Sequence, residues 1–221
     1  MGESRVSDKL LARFRKLYTA VVSDTLDGLG VIDNVLDYRI RPLFPEAVMV
    51  GRARTALSVE VYEVPKEPYK KELELVDSLR RNDVLVVATN GNTRSSFWGE
   101  LLSTSAIARG VAGGVVDGLT RDVEGIVKMR FPLFVMGISP TDSKGRSDVI
   151  AYDVPVRCGG VLVRTGDVIF GDYDGVVVVP ANLAEEVVEK AEQKRGNEDK
   201  VREELRRGES VAKVFRKYGV L

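Results

Sequence analysis

Short apolar runs that alternate with helical patterns in the middle of the chain are the feature that most constrains its fold. The runs at residues 84–88, 114–116 and 133–136 are almost entirely apolar, and segments with helical periodicity lie between them, at residues 97–108 and 123–129. Continuously apolar strands are typical of parallel sheets that are buried on both faces, with helices supplying the crossover connections. The sequence therefore predicts an α/β fold built on a parallel sheet.

The flanking regions predict further elements by the same periodicities. Predicted strands lie at residues 39–43, 48–61, 154–156, 160–164, 168–170 and 176–179, and predicted helices lie at 10–29 (two short helices), at 69–79 and from 182 onward. Asn182 and Glu185 have the spacing of a helix capping box, and Gly196 is expected to interrupt that helix. Since no linker divides the 221 residues, we expect one domain over 1–221, with a core at about 20–180 and a C-terminal helical extension at about 182–221.

Charge and hydropathy disfavour two classes of partner. The chain has 33 basic and 33 acidic residues and a formal net charge of zero, so it lacks the basic surface that nucleic-acid binding requires. Its apolar runs are much shorter than a membrane span, and its first residues lack the apolar region of a signal peptide. We therefore expect a cytoplasmic protein that binds neither nucleic acid nor membrane.

The absence of histidine limits the chemistry that is available to this chain. Serine–histidine triads, cysteine–histidine dyads and histidine-ligated zinc sites are all excluded. Cys158 is the only cysteine, so no internal disulfide can form, and we expect this thiol to be a buried apolar group. Acid–base work must then fall to carboxylates, lysine, tyrosine or metal-bound water.

Two motifs supply the parts of a site for a small 2-oxo acid. Arg121-Asp122 follows a predicted buried strand, and Gly99-Glu100-Leu101-Leu102 opens a predicted helix upstream. The free N–H groups of a first helical turn bind anions such as carboxylates. Asp122 is a hard oxygen ligand suited to Mg²⁺ or Mn²⁺, while the Arg121 guanidinium can bind a carboxylate or an enolate oxygen. We therefore expect both motifs to lie on one rim of the sheet, beyond the carboxyl ends of its strands.

Simpler interpretations exist for these and other residues. Asp122 could only cap the following helix, leaving Arg121 on the surface. Trp98 could line the substrate site, although packing between helix and sheet is favoured for so large an aromatic side chain. The segment 172–175 (DYDG) resembles the start of a calcium loop, but Asp-Gly is also a strong hairpin signal, and a tight turn is preferred here.

As a set, the motifs resemble the RraA-like family, which includes class II 4-hydroxy-4-methyl-2-oxoglutarate / 4-carboxy-4-hydroxy-2-oxoadipate aldolases and the regulator of ribonuclease activity A. The residues that carry the resemblance are Ser23-Asp24, Trp98-Gly99-Glu100, 113–122 (GGVVDGLTRD), 156–160 (VRCGG), Gly166-Asp167 and 172–180 (DYDGVVVVP). The resemblance implies a swivelling β/β/α domain that forms a homotrimer or a hexamer, with active sites at subunit boundaries.

The resemblance also implies roles for individual residues. Asp122 would bind Mg²⁺ or Mn²⁺, mostly through waters, and Arg121 would contact the oxo group of the substrate. The amides that open the helix, at Gly99, Leu101 and Leu102, would hold the pyruvate carboxylate. Glu100 would orient metal-bound water, in place of the aspartate that is common in this family.

The chain departs from the family pattern after Asp122. Glu124 lies one residue before the usual acidic position, which Gly125 occupies. The reach of Glu100 and the contacts around the metal are therefore open questions at this stage.

The predicted function is a divalent-metal-dependent aldolase that cleaves 4-hydroxy-2-oxo acids to pyruvate, with oxaloacetate decarboxylation as a side activity. A metal-linked water or hydroxide held by Glu100 is the predicted base. The alternative is a non-catalytic protein that binds and regulates a ribonuclease or a helicase. The sequence leaves open the physiological substrate, the choice between trimer and hexamer, and the residues that a neighbouring subunit contributes.

Overall fold

The structure is a computed structural model that describes residues 6–220. The helices within this range are α1 (Asp8–Phe14), α2 (Thr19–Gly28), α3 (Lys70–Ser78), α4 (Glu100–Ala108), α5 (Val123–Lys128), α6 (Ala184–Arg206) and α7 (Val211–Tyr218), and Ala181–Leu183 forms one turn of 3-10 helix. None of these helices combines the length and the hydropathy that crossing a bilayer requires.

The strands within the same range form a nine-stranded sheet and a two-stranded sheet. Their bounds are β1 (Arg41–Pro42), β2 (Met49–Glu60), β3 (Asp83–Ala88), β4 (Ser96–Trp98), β5 (Gly113–Thr120), β6 (Leu133–Ile138), β7 (Ser147–Tyr152), β8 (Val156–Cys158), β9 (Val161–Val163), β10 (Val168–Asp172) and β11 (Gly175–Val179).

The large sheet has a parallel centre and antiparallel edges. Its order is β1-β6-β5-β3-β2-β10-β11, with β4 also paired to β5 and β7 to β2. The pairs β2–β3, β3–β5, β4–β5 and β5–β6 are parallel. The strands β1, β7, β10 and β11 pair antiparallel with their neighbours, and the two-stranded sheet is the pair β8–β9. The predicted α/β fold with a parallel sheet and C-terminal helices is confirmed.

The central strands are buried on both faces because different layers cover the two faces. Val84, Val86 and Ala88 of β3 pack in one cluster with residues of the β8–β9 sheet. The alternate residues, Leu85 and Val87, pack on the opposite face in a cluster that includes residues of α3, α4 and α5. Sheet, sheet and helices thus form three layers, as expected for a β/β/α arrangement. A further cluster joins α1, α2 and α6 to β10 and β11.

Several smaller predictions are also confirmed. Cys158 and Trp98 are both buried, and the Trp98 ring stacks on Phe131 with 6.0 Å between ring centroids. Asp172 pairs with Gly175 across the β10–β11 hairpin, so the DYDG segment is a tight turn. The Asp172 carboxylate accepts hydrogen bonds from the Thr19 backbone N–H and hydroxyl, and so fixes the start of α2 rather than forming part of a calcium loop.

The predicted start of the helix at residue 97 is wrong. Phe97 and Trp98 belong to β4, which pairs with β5, and α4 begins only at Glu100. A three-residue strand is too short to show a period of two, so its apolar residues resembled the first turn of the helix. The strand β7 was missed altogether, and β5 extends four residues beyond the predicted end at residue 116.

Two predictions about the last long helix are also wrong. Gly196 does not interrupt α6, which runs continuously from Ala184 to Arg206. A glycine inside a helix costs only about 1 kcal/mol relative to alanine, and buried residues on both sides of it, such as Ala191 and Val201, hold the helix in place. Asn182 does not cap this helix, because it lies within the preceding 3-10 turn and no side-chain cap is formed.

A pair of glycine substitutions tests this packing. A Cβ atom at Gly171 in β10 would lie 2.7 Å from the ring of Phe134, whereas one at Gly196 would meet nothing within 4 Å. Gly171→Ala should lower the free energy of unfolding by about 1–3 kcal/mol through overpacking. Gly196→Ala, the matched control, should raise it by about 0.5–1 kcal/mol. Urea unfolding of both variants measures the two effects, and destabilisation by Gly196→Ala would contradict a continuous α6.

Candidate active site

The carbonyl oxygen of Trp98 joins the two motifs that the sequence singled out. It accepts hydrogen bonds from the backbone N–H of Arg121, at 2.9 Å, and from the hydroxyl of Thr120, at 2.8 Å. Because β4 and β5 end side by side, the start of α4 directly follows one strand and Arg121-Asp122 directly follows the other. The two predicted motifs therefore lie together at the carboxyl ends of parallel strands.

The first turn of α4 presents free backbone amides at this rim. The Glu100 N–H donates weakly to an Asp122 carboxylate oxygen at 3.3 Å, and the Ser103 N–H closes the first helical turn on the Gly99 carbonyl. Within residues 6–220, no oxygen accepts the N–H groups of Leu101 or Leu102. The Leu101 side chain is 81% exposed, so the end of this helix is open. Such an end attracts anions through its N–H groups and its dipole.

Gly99 allows the close approach of Asp122 to this helix. A Cβ atom at position 99 would lie 2.6 Å from the Asp122 Oδ2 atom, well inside van der Waals contact. Any larger residue would therefore displace the carboxylate. This is a steric role in addition to the role that was predicted for the Gly99 amide.

Asp122 does not cap its own helix. It occupies the N-cap position of α5 with φ 55° and ψ 34°, and its side chain makes no capping hydrogen bond. Left-handed backbone costs an ordinary residue about 1–2 kcal/mol, and strain of this kind is concentrated at functional sites. The helix-cap interpretation is therefore wrong, and the half-exposed carboxylate is directed to the start of α4 instead.

The Arg121 guanidinium is held at two of its three nitrogens. Nε lies 3.5 Å from Asp122 Oδ2, and Nη1 lies 3.1 Å from Asp142 Oδ1. In the part of the chain that the structure describes, no acceptor engages Nη2. Arg121 is therefore fixed in an ion-pair network, not free on the surface, and keeps one donor group for a ligand.

Sequence reasoning missed Asp142 and its partner Tyr69. The Tyr69 hydroxyl donates to Asp142 Oδ2 at 2.7 Å. Burial and the bond to this carboxylate raise the pKa of Tyr69 to about 12. Partial burial acts to raise the pKa of Asp142, but the hydrogen bond from Tyr69 and the charge of Arg121 outweigh it, so the Asp142 pKa is lowered. Asp142 follows β6, a neighbour of β5, and this position could have indicated it.

A buried carboxyl group lies behind this network. Glu72 on α3 is only 6% exposed, and burial, with smaller contributions from the charges of Asp148 and Asp142, raises the pKa of Glu72 to about 8. Glu72 is therefore mostly protonated near neutral pH, which avoids a second negative charge close to Asp142.

The Glu100 side chain packs over Gly125, the residue at the usual acidic position of the family pattern. A Cβ atom at Gly125 would lie 2.7 Å from Glu100 Cδ and 2.8 Å from Glu100 Oε2. The longer Glu100 side chain therefore extends over the position where α5 has no side chain. Glu124 points away into an exposed pair with Lys128.

Asp117 in β5 connects the end of β3 to the turn between β8 and β9. Its buried carboxylate accepts the Thr89 N–H at 2.5 Å and the Gly159 N–H at 3.3 Å. Burial raises the pKa of Asp117, although these hydrogen bonds partly offset that effect. Burial likewise raises the pKa of the Cys158 thiol, which rules it out as a reactive thiolate. Both residues are structural.

The donor set suits a cation that keeps most of its waters. Residues 6–220 contain no group of three Asp, Glu, Cys or His side chains arranged to hold a metal ion. Mg²⁺ commonly binds through one or two carboxylates together with waters and substrate oxygens. Asp122 is half-exposed and its side chain makes no helix-capping bond, so its carboxylate could serve as such a ligand.

Comparison with known proteins identifies the family of this chain. A family model described as RraA-like (Aldolase/RraA) matches residues 19–178. The chain belongs to the RraA-like family. This confirms the resemblance that the motifs indicated, and the model covers the strands and loops that carry the candidate active site.

Individual relatives match over most of the chain. A protein of Halalkalibacterium halodurans named "Putative 4-hydroxy-4-methyl-2-oxoglutarate aldolase" is 33% identical over 196 residues, which cover 89% of this chain and 88% of that protein. A crystal structure of a Pseudomonas syringae protein covers 99% of this chain and 98% of its own, with 29% identity and a TM-score of 0.88. Streptomyces coelicolor RraAS2, described as an unusual member of the RNase ES inhibitor RraA protein family, covers 90% and 98%, with 29% identity and a TM-score of 0.81.

The buried Glu72 makes stability depend on pH in a specific way. Because its folded-state pKa of about 8 lies above the ordinary value of 4.5, the folded state binds the proton more tightly than the unfolded state does. The contribution of this tighter proton binding to the free energy of unfolding is fully present below pH 4.5 and is lost as the pH rises through about 8. Glu72→Gln should therefore be more stable than the wild type above pH 8, by an amount that shrinks toward pH 5. Urea unfolding between pH 5 and about 9 measures this difference.

Glu74→Gln, which alters an exposed carboxyl on the same helix, is the matched control and should show no such trend. A difference between Glu72→Gln and the wild type that stays constant over the whole pH range would show that Glu72 is ionised in the folded protein.

Proposed function

We propose that this protein is a divalent-metal-dependent aldolase that cleaves 4-hydroxy-2-oxo acids to pyruvate and a carbonyl product. One observation carries the proposal: the free amides of Leu101 and Leu102, the unpaired Nη2 donor of Arg121 and the Asp122 carboxylate lie around one rim of the sheet. These are a carboxylate-binding group, an oxyanion-binding group and a cation ligand. A 2-oxo acid needs all three when its enolate forms.

Asp122 would hold Mg²⁺ or Mn²⁺ in the active protein, and the weak contact from the Glu100 N–H at 3.3 Å would not prevent this. When bound, the cation supplies Lewis acidity toward the oxo and carboxylate oxygens of the substrate. The Arg121 guanidinium lies 3.5 Å from the Asp122 carboxylate, so the proposed cation ligand and the proposed oxyanion donor lie side by side.

The chain's own residues then bind and orient the substrate. The Leu101 and Leu102 N–H groups donate hydrogen bonds to the substrate carboxylate at the positive end of the α4 dipole. Arg121 Nη2 donates to the 2-oxo oxygen, and this bond strengthens as negative charge develops there. Binding at both points fixes the C3–C4 bond relative to the base.

Bond cleavage follows from removal of the proton on the 4-hydroxyl group. In this proposal Glu100 takes that proton through a water that it orients. The electrons of the O–H bond form the new C4 carbonyl, the C3–C4 bond breaks, and its electron pair passes into the pyruvate enolate. Return of a proton to C3 yields pyruvate. Glu100 is a candidate for this role because it opens α4 beside Asp122 and its exposed carboxyl group extends over Gly125.

Oxaloacetate decarboxylation is part of the same proposal. Loss of carbon dioxide from oxaloacetate also leaves pyruvate enolate, so the groups that stabilise the enolate in the aldol reaction would act here as well. No 4-hydroxyl proton has to be removed in this reaction. Glu100 should therefore matter less for decarboxylation than for aldol cleavage.

The assembly that we propose is a homotrimer or a hexamer with the small 2-oxo acid bound near subunit boundaries. The exposed Leu101 side chain beside the amides would then be covered by a neighbouring copy. The alternative function, regulation of a ribonuclease or a helicase without catalysis, is supported by membership of the family alone. No contact in the candidate site favours it.

Magnesium-dependent release of pyruvate from oxaloacetate tests the proposed function. The wild type should release pyruvate with added Mg²⁺ or Mn²⁺ and lose this activity in the presence of a chelator. Arg121→Ala should reduce kcat by about 100-fold or more, because it removes a donor that acts on the developing oxyanion. Circular dichroism should show an intact fold. Turnover that is indifferent to metal, or undiminished in Arg121→Ala, would contradict the proposal, and a complete lack of turnover would favour the regulatory alternative.

Binding of Mn²⁺ tests the role of Asp122 without requiring turnover. Asp122→Asn should weaken Mn²⁺ binding by about tenfold or more, because a neutral amide is a poor ligand for a hard cation. The matched control is Glu124→Gln, which removes an exposed carboxylate two residues away and should bind Mn²⁺ like the wild type. Electron paramagnetic resonance of free Mn²⁺ measures both affinities. Equal losses in the two variants would mean that Asp122 has no special part in binding the metal.

A further inference from the structure

We propose that Asp142, held by Tyr69, is a positioning residue that directs the free Nη2 group of Arg121 into the active site. This inference rests on the proposed function, because it assigns Arg121 a task that depends on its orientation. It adds Tyr69, which precedes α3, and Asp142, in the loop after β6, to a site otherwise built by α4 and the end of β5.

The ion pairs of Arg121 define the orientation of its guanidinium plane. Asp122 contacts Nε and Asp142 contacts Nη1, so the two carboxylates hold different nitrogens of one rigid group. Two ion pairs at different nitrogens restrict rotation of the planar guanidinium about its long axis and so favour one direction for the third nitrogen. Without Asp142, only the longer contact to Asp122, at 3.5 Å, would remain.

Asp142 is itself fixed from several sides. Tyr69 donates to Oδ2, while Oδ1 faces Arg121. The Asp142 backbone forms a β-bridge with Ser96 in β4, the strand that leads into the candidate site. These contacts restrict movement of the carboxylate. It acts as an anchor and not as a mobile surface partner.

Backbone strain at Tyr69 supports a role beyond simple packing. Tyr69 precedes α3 with φ 66° and ψ 3°, a left-handed conformation that is unfavourable for an aromatic residue. This conformation accompanies delivery of its hydroxyl to Asp142 at 2.7 Å. Strain of this kind persists where surrounding contacts hold it, and it concentrates at functional sites. Asp122 shows the same conformation at the other carboxylate that holds Arg121.

The chemical consequence concerns the reaction step more than substrate binding. The α4 amides hold the substrate carboxylate independently of Arg121, so loss of Asp142 should leave ground-state binding nearly unchanged. A misdirected Nη2 group would lose its bond to the oxyanion that develops during bond cleavage. A displacement of about 1 Å at such a group can reduce the rate by about 100-fold.

Asp142→Asn is the central variant, because it removes the charge and keeps the size of the side chain. With Mg²⁺ and oxaloacetate as the probe, kcat should fall about 10- to 100-fold with little change in KM. The rate at which phenylglyoxal modifies Arg121, followed by peptide mass spectrometry, should rise several-fold because the guanidinium is released. Tyr69→Phe should change both quantities in the same direction, by less. Asp142→Glu, which keeps the charge, should restore part of kcat.

The matched control is Asp77→Asn, which removes the carboxylate of another arginine ion pair, that of Arg109 with an exposed residue of α3. It should alter neither kcat nor the modification of Arg121. Thermal unfolding of every variant identifies any that fail to fold, and in that case Tyr69→Phe replaces Asp142→Asn as the deciding variant.

The two readouts separate this inference from the proposed function. A wild type without turnover, combined with faster modification of Arg121 in Asp142→Asn, would refute the aldolase and still support Asp142 as the residue that holds Arg121. An active wild type with unchanged kcat in Asp142→Asn would overturn the positioning role and leave the aldolase intact. Unchanged modification of Arg121 would overturn the positioning role in either case.

Discussion

The paired hydrogen bonds to the Trp98 carbonyl are the constraint on which the candidate site depends. They join the end of β5 to the end of β4. Arg121-Asp122, which follows β5, therefore lies beside the start of α4, which follows β4. The buried Trp98 side chain holds the end of β4 in place as well. It stacks on Phe131 and donates a hydrogen bond to the Ser103 hydroxyl in the first turn of α4. The core of the sheet and the chemistry at its rim therefore share one residue.

Electrostatics then determines how the polar groups at this rim are arranged. Arg121 lies between two carboxylates, those of Asp122 and Asp142. Asp122 itself has left-handed backbone, and so does Tyr69, the residue that donates a hydrogen bond to Asp142. The nearby Glu72 stays protonated near neutral pH, because burial raises its pKa. Strained backbone and a neutral buried acid both lower stability locally. Both features fit the proposal that this rim binds a small anion.

Much of this arrangement could be predicted from the sequence, for reasons that are local. The apolar runs of β3, β5 and β6 showed a sheet buried on both faces, and that sheet implied that Gly99 and Arg121 end on one rim. The absence of histidine directed attention to carboxylates. These inferences needed only periodicity and the rule that parallel strands present their carboxyl ends on one edge of the sheet.

Other features could not be predicted because they depend on distant contacts. Asp142 lies in a loop with no periodicity, and only the folded chain brings it to Tyr69 and Arg121. The continuity of α6 through Gly196 depends on packing on both sides of the glycine, which outweighs its low helix propensity. The fit of Glu100 over Gly125 joins α4 to α5 across the rim. In each case contacts between residues distant in the sequence determine the structure, and the local sequence does not reveal them.

A crystal structure with Mn²⁺ and oxalate, a planar mimic of pyruvate enolate, tests the central claim most directly. The account predicts an anomalous manganese peak within about 2.5 Å of an Asp122 carboxylate oxygen. One oxalate carboxylate should accept hydrogen bonds from the Leu101 and Leu102 amides, and Arg121 Nη2 should contact the other. A manganese ion bound elsewhere, or oxalate that avoids the start of α4, would contradict it.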